Sequence, residues 1–189
     1  MSDSRLDDRL AASIREHRLA AALSLDALAE RAGVSRAMLS RIERGESSPT
    51  AQLLNRLCGG LGISLSALFA AAEAPPAPLA RRAEQPVWRD PASGYLRRAL
   101  SPPRAGVSLV EVSFPAGGTV AFDPLPAPAP EQQVWMLDGA LDLTLGQAAP
   151  VRLLAGDCLW MRLDAPIRFH NPTLRETRYL VALSRSAGA

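Results

Sequence analysis

Proline divides this chain. Of its 16 prolines, Pro49 alone lies before residue 75, and all the others fall from Pro75 onward. Proline lacks the amide N–H that a helix interior needs and is confined to turns, coils and sheet edges. The first seventy or so residues are therefore free to be helical, and the last hundred are not. The intervening Ala74-Pro75-Pro76-Ala77-Pro78-Leu79 reads as a semi-rigid linker. We expect a multidomain α plus β chain: a helical unit over 1–72, a Pro/Ala-rich linker over 73–85 and an all-β unit over 86–189.

Hydrophobic residues make up 48 % of the chain, enough for packed cores, so wholesale disorder is excluded. Two cysteines, Cys58 and Cys158, cannot build a disulfide framework, and no Cys/His cluster has zinc spacing. Cys58 reads as a helix-packing residue and Cys158 as a small buried strand residue. The N-terminus is acidic rather than signal-like, and no apolar run reaches the ~18 residues of a membrane span. These features lead us to expect a cytoplasmic protein with no membrane partner.

The helical unit breaks at its caps. Leu6, Leu10 and Ile14 give a first helix one apolar stripe. Leu25, Leu28, Ala29 and Ala32 mark a short second helix. Gly33 then supplies a turn, and Ser35 an N-cap. Val34, Met38, Leu39 and Ile42 form the expected core face of a third helix, which ends at Gly45. Ser48-Pro49 reads as N-cap and first position of a fourth helix, with Leu53, Leu54, Leu57 and Leu61 inward. Ser64 opens a fifth, with Leu65, Leu68 and Phe69.

The β unit shows short apolar or alternating runs at 109–114, 134–137, 141–145, 158–161 and 179–183, parted by Gly, Pro and Asp. Asp138-Gly139 favours a tight hairpin. Short strands without a helical period imply a sandwich or barrel.

From Leu25 to Gly45 a short helix, a glycine turn and a second helix have helix-turn-helix spacing. The outer face of the second carries Ser35, Arg36, Ala37, Ser40, Arg41 and Arg44. Arg36 and Arg41 have the reach for guanine edges in a major groove. Ser35, Ala37 and Ser40 are short enough for close approach, and the Ser hydroxyls and Arg44 suit phosphates. Spacing alone also fits an ordinary helical bundle with a solvated Arg face. The full string decides otherwise: the segments LAERAGVS, LSRIERG and SSPT resemble the xenobiotic-response-element (XRE), lambda-repressor-like family over roughly residues 5–72. The resemblance implies a five-helix DNA-binding domain whose base-facing positions are Arg36, Ala37 and Arg41. One departure is Leu25, where many members carry a Gln that touches the DNA backbone.

The remainder resembles the cupin double-stranded β-helix barrel. The matching pieces are Pro115-Ala116-Gly117-Gly118, Leu137-Asp138-Gly139, Leu154-Ala155-Gly156-Asp157 and Phe169-His170-Asn171-Pro172. In cupin enzymes a Glu and His residues hold a metal. Here the Glu position is Gln132, the loop Asp123–Pro130 holds no His, and the second-motif His position is Ile167. Strand alternation turns His170 outward if Phe169 points in. His17 reads as structural, and Glu131 alone makes no metal site. The expectation is no metal, no cofactor and no enzyme. Phe122, Gln132, Val134, Met136, Trp160, Ile167 and Phe169 either line an apolar ligand pocket or fill a small barrel; the sequence leaves both open. Arg162 at the rim would favour an anionic effector.

Together the resemblances imply a sequence-specific, dimeric DNA-binding transcriptional regulator. Its partners would be a double-stranded operator, a small-molecule effector and a second copy of itself. The alternative is a metal-dependent cupin enzyme, oxidoreductase or epoxidase-like, carrying a helix-turn-helix. Net charge is only +2, with all 21 basic residues Arg. Arg31 to Arg44, however, contains four Arg against Glu43, so the positive charge gathers where the motif places DNA. Non-specific affinity should then be modest and salt-sensitive.

Overall fold

The computed structural model describes residues 3–71, 78–102, 107–127 and 129–184. Residues 73–77 of the expected linker lie outside the described residues, as does the side chain of Leu6.

Five helices come first: α1 (Asp3–Ala20), α2 (Leu25–Ala32), α3 (Arg36–Glu43), α4 (Ala51–Leu61) and α5 (Leu65–Ala71). Their apolar stripes meet at Leu10, Ile14, Leu28, Leu39, Ile42, Leu54, Leu57 and Leu68, all essentially buried. The starts of α2 to α5 have a reason in the sequence. The hydroxyls of Ser24, Ser35 and Thr50 accept from the backbone N–H groups of Ala27, Met38 and Leu53. Ser64 does the same for Ala67 at 3.1 Å.

The cap of α4 is thus Thr50, not Ser48 as expected, and the first helical residue is Ala51, not Pro49. The reason is tertiary. The N–H of Ala51 donates to the carboxylate of Asp90 at 2.9 Å, which a proline in that position could not do. Ser48 instead donates to Asp7 at 2.5 Å.

Ten strands follow. One antiparallel sheet has the order β1 (Val87–Arg89), β2 (Leu96–Ala99), β3 (Val107–Phe114), β10 (Thr177–Ser184), β5 (Glu131–Asp138), β8 (Cys158–Arg162). The other has the order β4 (Thr119–Phe122), β9 (Ile167–His170), β6 (Ala140–Leu145), β7 (Val151–Leu154). Alternation turns Val110, Val134, Val181 and Met161 inward from the first sheet, and Leu141, Leu143, Ile167 and Phe169 inward from the second. β1, β2, β4 and β7 have three or four residues each and left no readable pattern in the sequence.

Asp138-Gly139 is not a hairpin. Both edges of β5 are already paired, to β10 and β8, so β6 cannot join it and the chain crosses to the other sheet. Gly139 makes the crossing at φ +80°, and a Cβ there would meet Thr177 Oγ1 at 2.5 Å.

The two units share one continuous core. Phe69 of α5 packs on Trp88 of β1 with ring centroids 5.5 Å apart. Asn55 of α4 donates its amide to the Asp123 carbonyl at 3.0 Å. Arg97 of β2 donates to the Ser66 hydroxyl at 2.5 Å and lies 5.1 Å over the Phe69 ring. Among the described residues no helix is long and apolar enough to cross a membrane.

Candidate nucleic-acid interface and junction cavity

The turn between α2 and α3 is made by Gly33 at φ +62°, whose N–H closes on Ala29 and Glu30 carbonyls. Val34 N–H also returns to Ala29 at 2.9 Å. These bonds satisfy the last carbonyls of α2 and fix the entry to α3. Arg56 of α4 adds a bond to the Gly33 carbonyl at 3.1 Å.

α3 buries Leu39 and Ile42 and holds Arg36, Ala37, Arg41 and Arg44 exposed, with Ser40 half-buried. Met38, expected on the core face, is 37 % exposed. One step of about 100° from Leu39 carries it off the buried stripe and onto the outer face. Ser35 accepts from Met38 N–H at 3.1 Å, which leaves its own O–H to donate outward.

The arginines differ in their surroundings. Arg36 Nε lies 3.2 Å from Asp26, both exposed. Arg44 forks onto Glu46 at 2.6 and 2.8 Å and also contacts Ser40. That fork holds the Glu46 carboxyl below its ordinary value. A feature that sequence reasoning missed anchors the whole helix: Arg18 of α1 donates to both Glu43 oxygens, at 2.7 and 2.8 Å, and to the Leu23 carbonyl. The pair is buried, and the bond to Glu43 raises the guanidinium's proton affinity further. His17 Nδ1 lies 2.8 Å from the Ser13 carbonyl, within α1's own last turns.

The second site is a cavity of about 70 Å³ between barrel and helices. One water needs about 10–15 Å³ by this measure, so it holds a handful of waters or one small molecule. Phe122, Gln132, Ile167 and Phe169 line it. Val134 and Met136 are buried but lie outside its lining. Trp160 corrects the expectation: it is 54 % exposed on the outer face of β8. Met161 is the residue of that strand that points inward, so alternation turns Trp160 out, where its Nε1 lies 3.3 Å from Glu131. Cys158 shares the outward parity and is exposed, not buried as expected. Cys58 is buried, and burial pushes its thiol up to about 12.

Arg162, expected at the rim, is not among the lining residues and pairs instead with Glu131 and Asp164. The cavity's cation is Arg97. Tyr95, Tyr179, Arg97 and the helical residues Asn55 and Ser66 were all missed. The i, i+2 pair Tyr95 and Arg97 was the available signal, hidden because β2 is only four residues long.

An edge-to-face aromatic row, Trp88, Tyr95, Phe114 and Tyr179, leads along the cavity to Phe169, stacked on Tyr179 at 6.0 Å. The positions matched to cupin metal ligands do not fit a metal. Gln132 is a buried amide 3.6 Å from Met161 Sδ, and Ile167 is a buried aliphatic. His170 Nδ1 sits 3.0 Å from Thr119 Oγ1 and 3.2 Å from the Gly118 carbonyl, away from the cavity lining. Among the described residues no three His, Cys, Asp or Glu side chains converge.

Residues 14–68 match the family described as Helix-turn-helix. The HTH-type transcriptional regulator SutR of Escherichia coli (strain K12) is 44 % identical over 57 residues, 30 % of this chain and 32 % of that protein. The matched segment thus spans about a third of that relative's length. A solved structure of an HTH_3 family transcriptional regulator from Vibrio cholerae is 26 % identical, with a TM-score of 0.77 over 97 % of this chain and 99 % of that one. A hydroxypropylphosphonic acid epoxidase from S. wedmorenis is 18 % identical with a TM-score of 0.47, covering 95 % and 98 % of the two chains. That lower likeness carries no functional weight. The helical unit thus carries a helix-turn-helix over residues 14–68, and over its whole length, including the two antiparallel sheets that follow, the chain is similar in fold to the Vibrio cholerae regulator.

Proposed function

We propose that this chain is a sequence-specific transcriptional regulator that binds DNA as a dimer and responds to a small effector in the junction cavity. The observation that carries the reading is the exposed face of α3 within a matched helix-turn-helix. Arg36, Ala37 and Arg41 stand outward on a helix pinned from behind by Arg18 and Glu43. Ser35, Ser40 and Arg44 flank them for phosphate contacts. The regulator relatives support a non-enzymatic role, and the donor set at the cupin ligand positions is unsuited to metal chemistry.

Pairing is supported by the outer face of the larger sheet. Leu180, Trp135 and Cys158 form one cross-strand row, and Leu109, Ala182, Gln133 and Trp160 the next. Trp135 is 49 % exposed, and Leu109 and Trp160 are exposed beside it. A second copy seated there would cover two indoles that solvent otherwise wets. It would also present two reading helices, as half-sites about 34 Å apart require.

The test is footprinting on the DNA upstream of the protein's own coding region, with the Arg36→Ala/Arg41→Ala double variant beside the parent. The parent should protect a two-fold symmetric site. The double variant should lose specific protection, since each bidentate base contact is worth about 1–3 kcal/mol. Equal protection by both proteins would remove α3 from the reading role.

A further inference from the structure

We propose that Asp26 sets the base preference of Arg36: its carboxylate holds the Arg36 guanidinium by the Nε edge and leaves the two terminal nitrogens to a guanine. The inference rests on the reading of α3 as the DNA-contacting helix and names a residue of α2 that decides what that helix reads.

Geometry comes first. Asp26 is the second residue of α2 and Arg36 the first of α3. The Gly33 turn brings them together, with Arg36 Nε 3.2 Å from Asp26 Oδ1. Among the described residues this is the one ion pair that joins α2 to α3. Packing ties down neither side chain, since they are 66 % and 74 % exposed. An exposed pair of this kind adds little to stability, and a carboxylate in the first turn of α2 favours that helix end whether or not Arg36 is near.

Donor chemistry comes second. A guanidinium has two donor edges, one formed by Nε with a terminal nitrogen and the other by the two terminal nitrogens. Asp26 stands on the first. The second remains to donate to O6 and N7 of one guanine together. Among the described residues no group other than Asp26 pairs with Arg36. An arginine without such a support moves among many rotamers and pairs with any phosphate it meets, a contact that carries no sequence information.

Charge comes third. Every DNA sequence presents phosphates, so a carboxylate on the contact surface weakens attraction to all sequences alike. Asp26 therefore reduces what Arg36 gains from the backbone and preserves what it gains from guanine. The effect is a wider gap between right and wrong sequences, not a higher affinity for both.

Arg41 supplies an internal comparison. It stands more than one turn further along α3, and no ion pair joins it to Asp26. Its base pair should be read equally well with and without the Asp26 carboxylate.

The experiment selects binding sites for the full chain from a randomised duplex library, in parallel for the parent, Arg36→Ala, Arg41→Ala, Asp26→Ala and Asp26→Glu. The preference lost in each arginine variant assigns a base pair to that arginine. Asp26→Ala should then lower the preference for guanine at the Arg36 position by about fivefold or more and leave the Arg41 position unchanged. Its affinity for a scrambled duplex should rise, because one repelling charge is gone. Asp26→Glu keeps the charge on a longer arm and should restore part of the preference. A purely structural carboxylate would instead give a uniform loss at every position and on scrambled DNA. That uniform loss, or an unchanged preference at the Arg36 position, would overturn the positioning role and leave α3 as the reading helix. A parent that selects no sequence, or arginine variants that select the parent's sequence, would remove the reading of α3 itself, and the role of Asp26 with it.

Discussion

The carboxylate of Asp90, in the turn after the first barrel strand, accepts the backbone N–H of Ala51 at 2.9 Å and so closes the first turn of α4 from the neighbouring domain. The same carboxylate accepts from the Ser93 N–H and hydroxyl through its other oxygen. One buried side chain thus ties the barrel's first turn to the helix that packs on α2. Asp90→Ala would leave a buried helix N–H without its acceptor. It should cost about 2 kcal/mol in urea unfolding, with Asp90→Asn intermediate because the amide oxygen still accepts. An unchanged midpoint for Asp90→Ala would show that the contact adds nothing to stability.

Gly139 permits the crossing between sheets, and Thr177 is packed against it. Thr177 is fully buried and donates to the Asp138 carbonyl at 2.6 Å, so it cannot move aside cheaply. Gly139→Ala combines left-handed strain with that clash and should cost about 3 kcal/mol in denaturant unfolding. The helical domain's own contacts are untouched, so DNA footprints at low temperature should persist.

Asp142 and Arg152 face each other across β6 and β7, with bonds of 2.7 and 2.8 Å. His170 on β9 is the other neighbour in register. The Arg152 hydrogen bonds, and secondarily its charge and that of His170, hold the Asp142 carboxyl below its ordinary value. The unfolded chain takes up that proton at a higher pH than the folded chain does. The pair's contribution is therefore present above the ordinary carboxylate value of about 3.9 and is lost as pH falls through the lowered folded value. Asp142→Asn should melt below the parent at neutral pH, and the gap should close in acid below about pH 4. A gap that is the same at both pH values would exclude ionisation of Asp142 as its source.

Trp135 and Trp160 lie on adjacent outward rows of one sheet face. Trp135→Glu/Trp160→Glu should shift the chain to monomer in sedimentation velocity without changing its circular dichroism. Operator affinity should fall by about tenfold or more as the two readers lose their linkage. A dimer that survives both charges must use another face.

The helix-turn-helix was legible because its determinants are local. Ser24, Gly33 and Ser35 cap and turn the chain through bonds within four or five residues, and Leu39 with Ile42 sets the buried stripe. Met38 escaped because a stripe's edge is decided by what packs against it, not by spacing. The barrel's five longer strands carried readable runs. Its short strands did not, since three or four residues hold too few side chains to show a period.

From its sequence alone, the change from helices to strands along the chain, the five helices and the outward arginines of α3 were determined, because each depends on neighbours a turn or two away. The tertiary structure alone decided which parity of β8 faces in, that Asp138-Gly139 leads to another sheet, and that Thr50 rather than Ser48 caps α4. It alone assembled the cavity as well, drawing walls from Asn55 to Leu183 around Arg97. Those choices are made by strand pairing and domain docking between residues far apart in the chain. No local spacing encodes them.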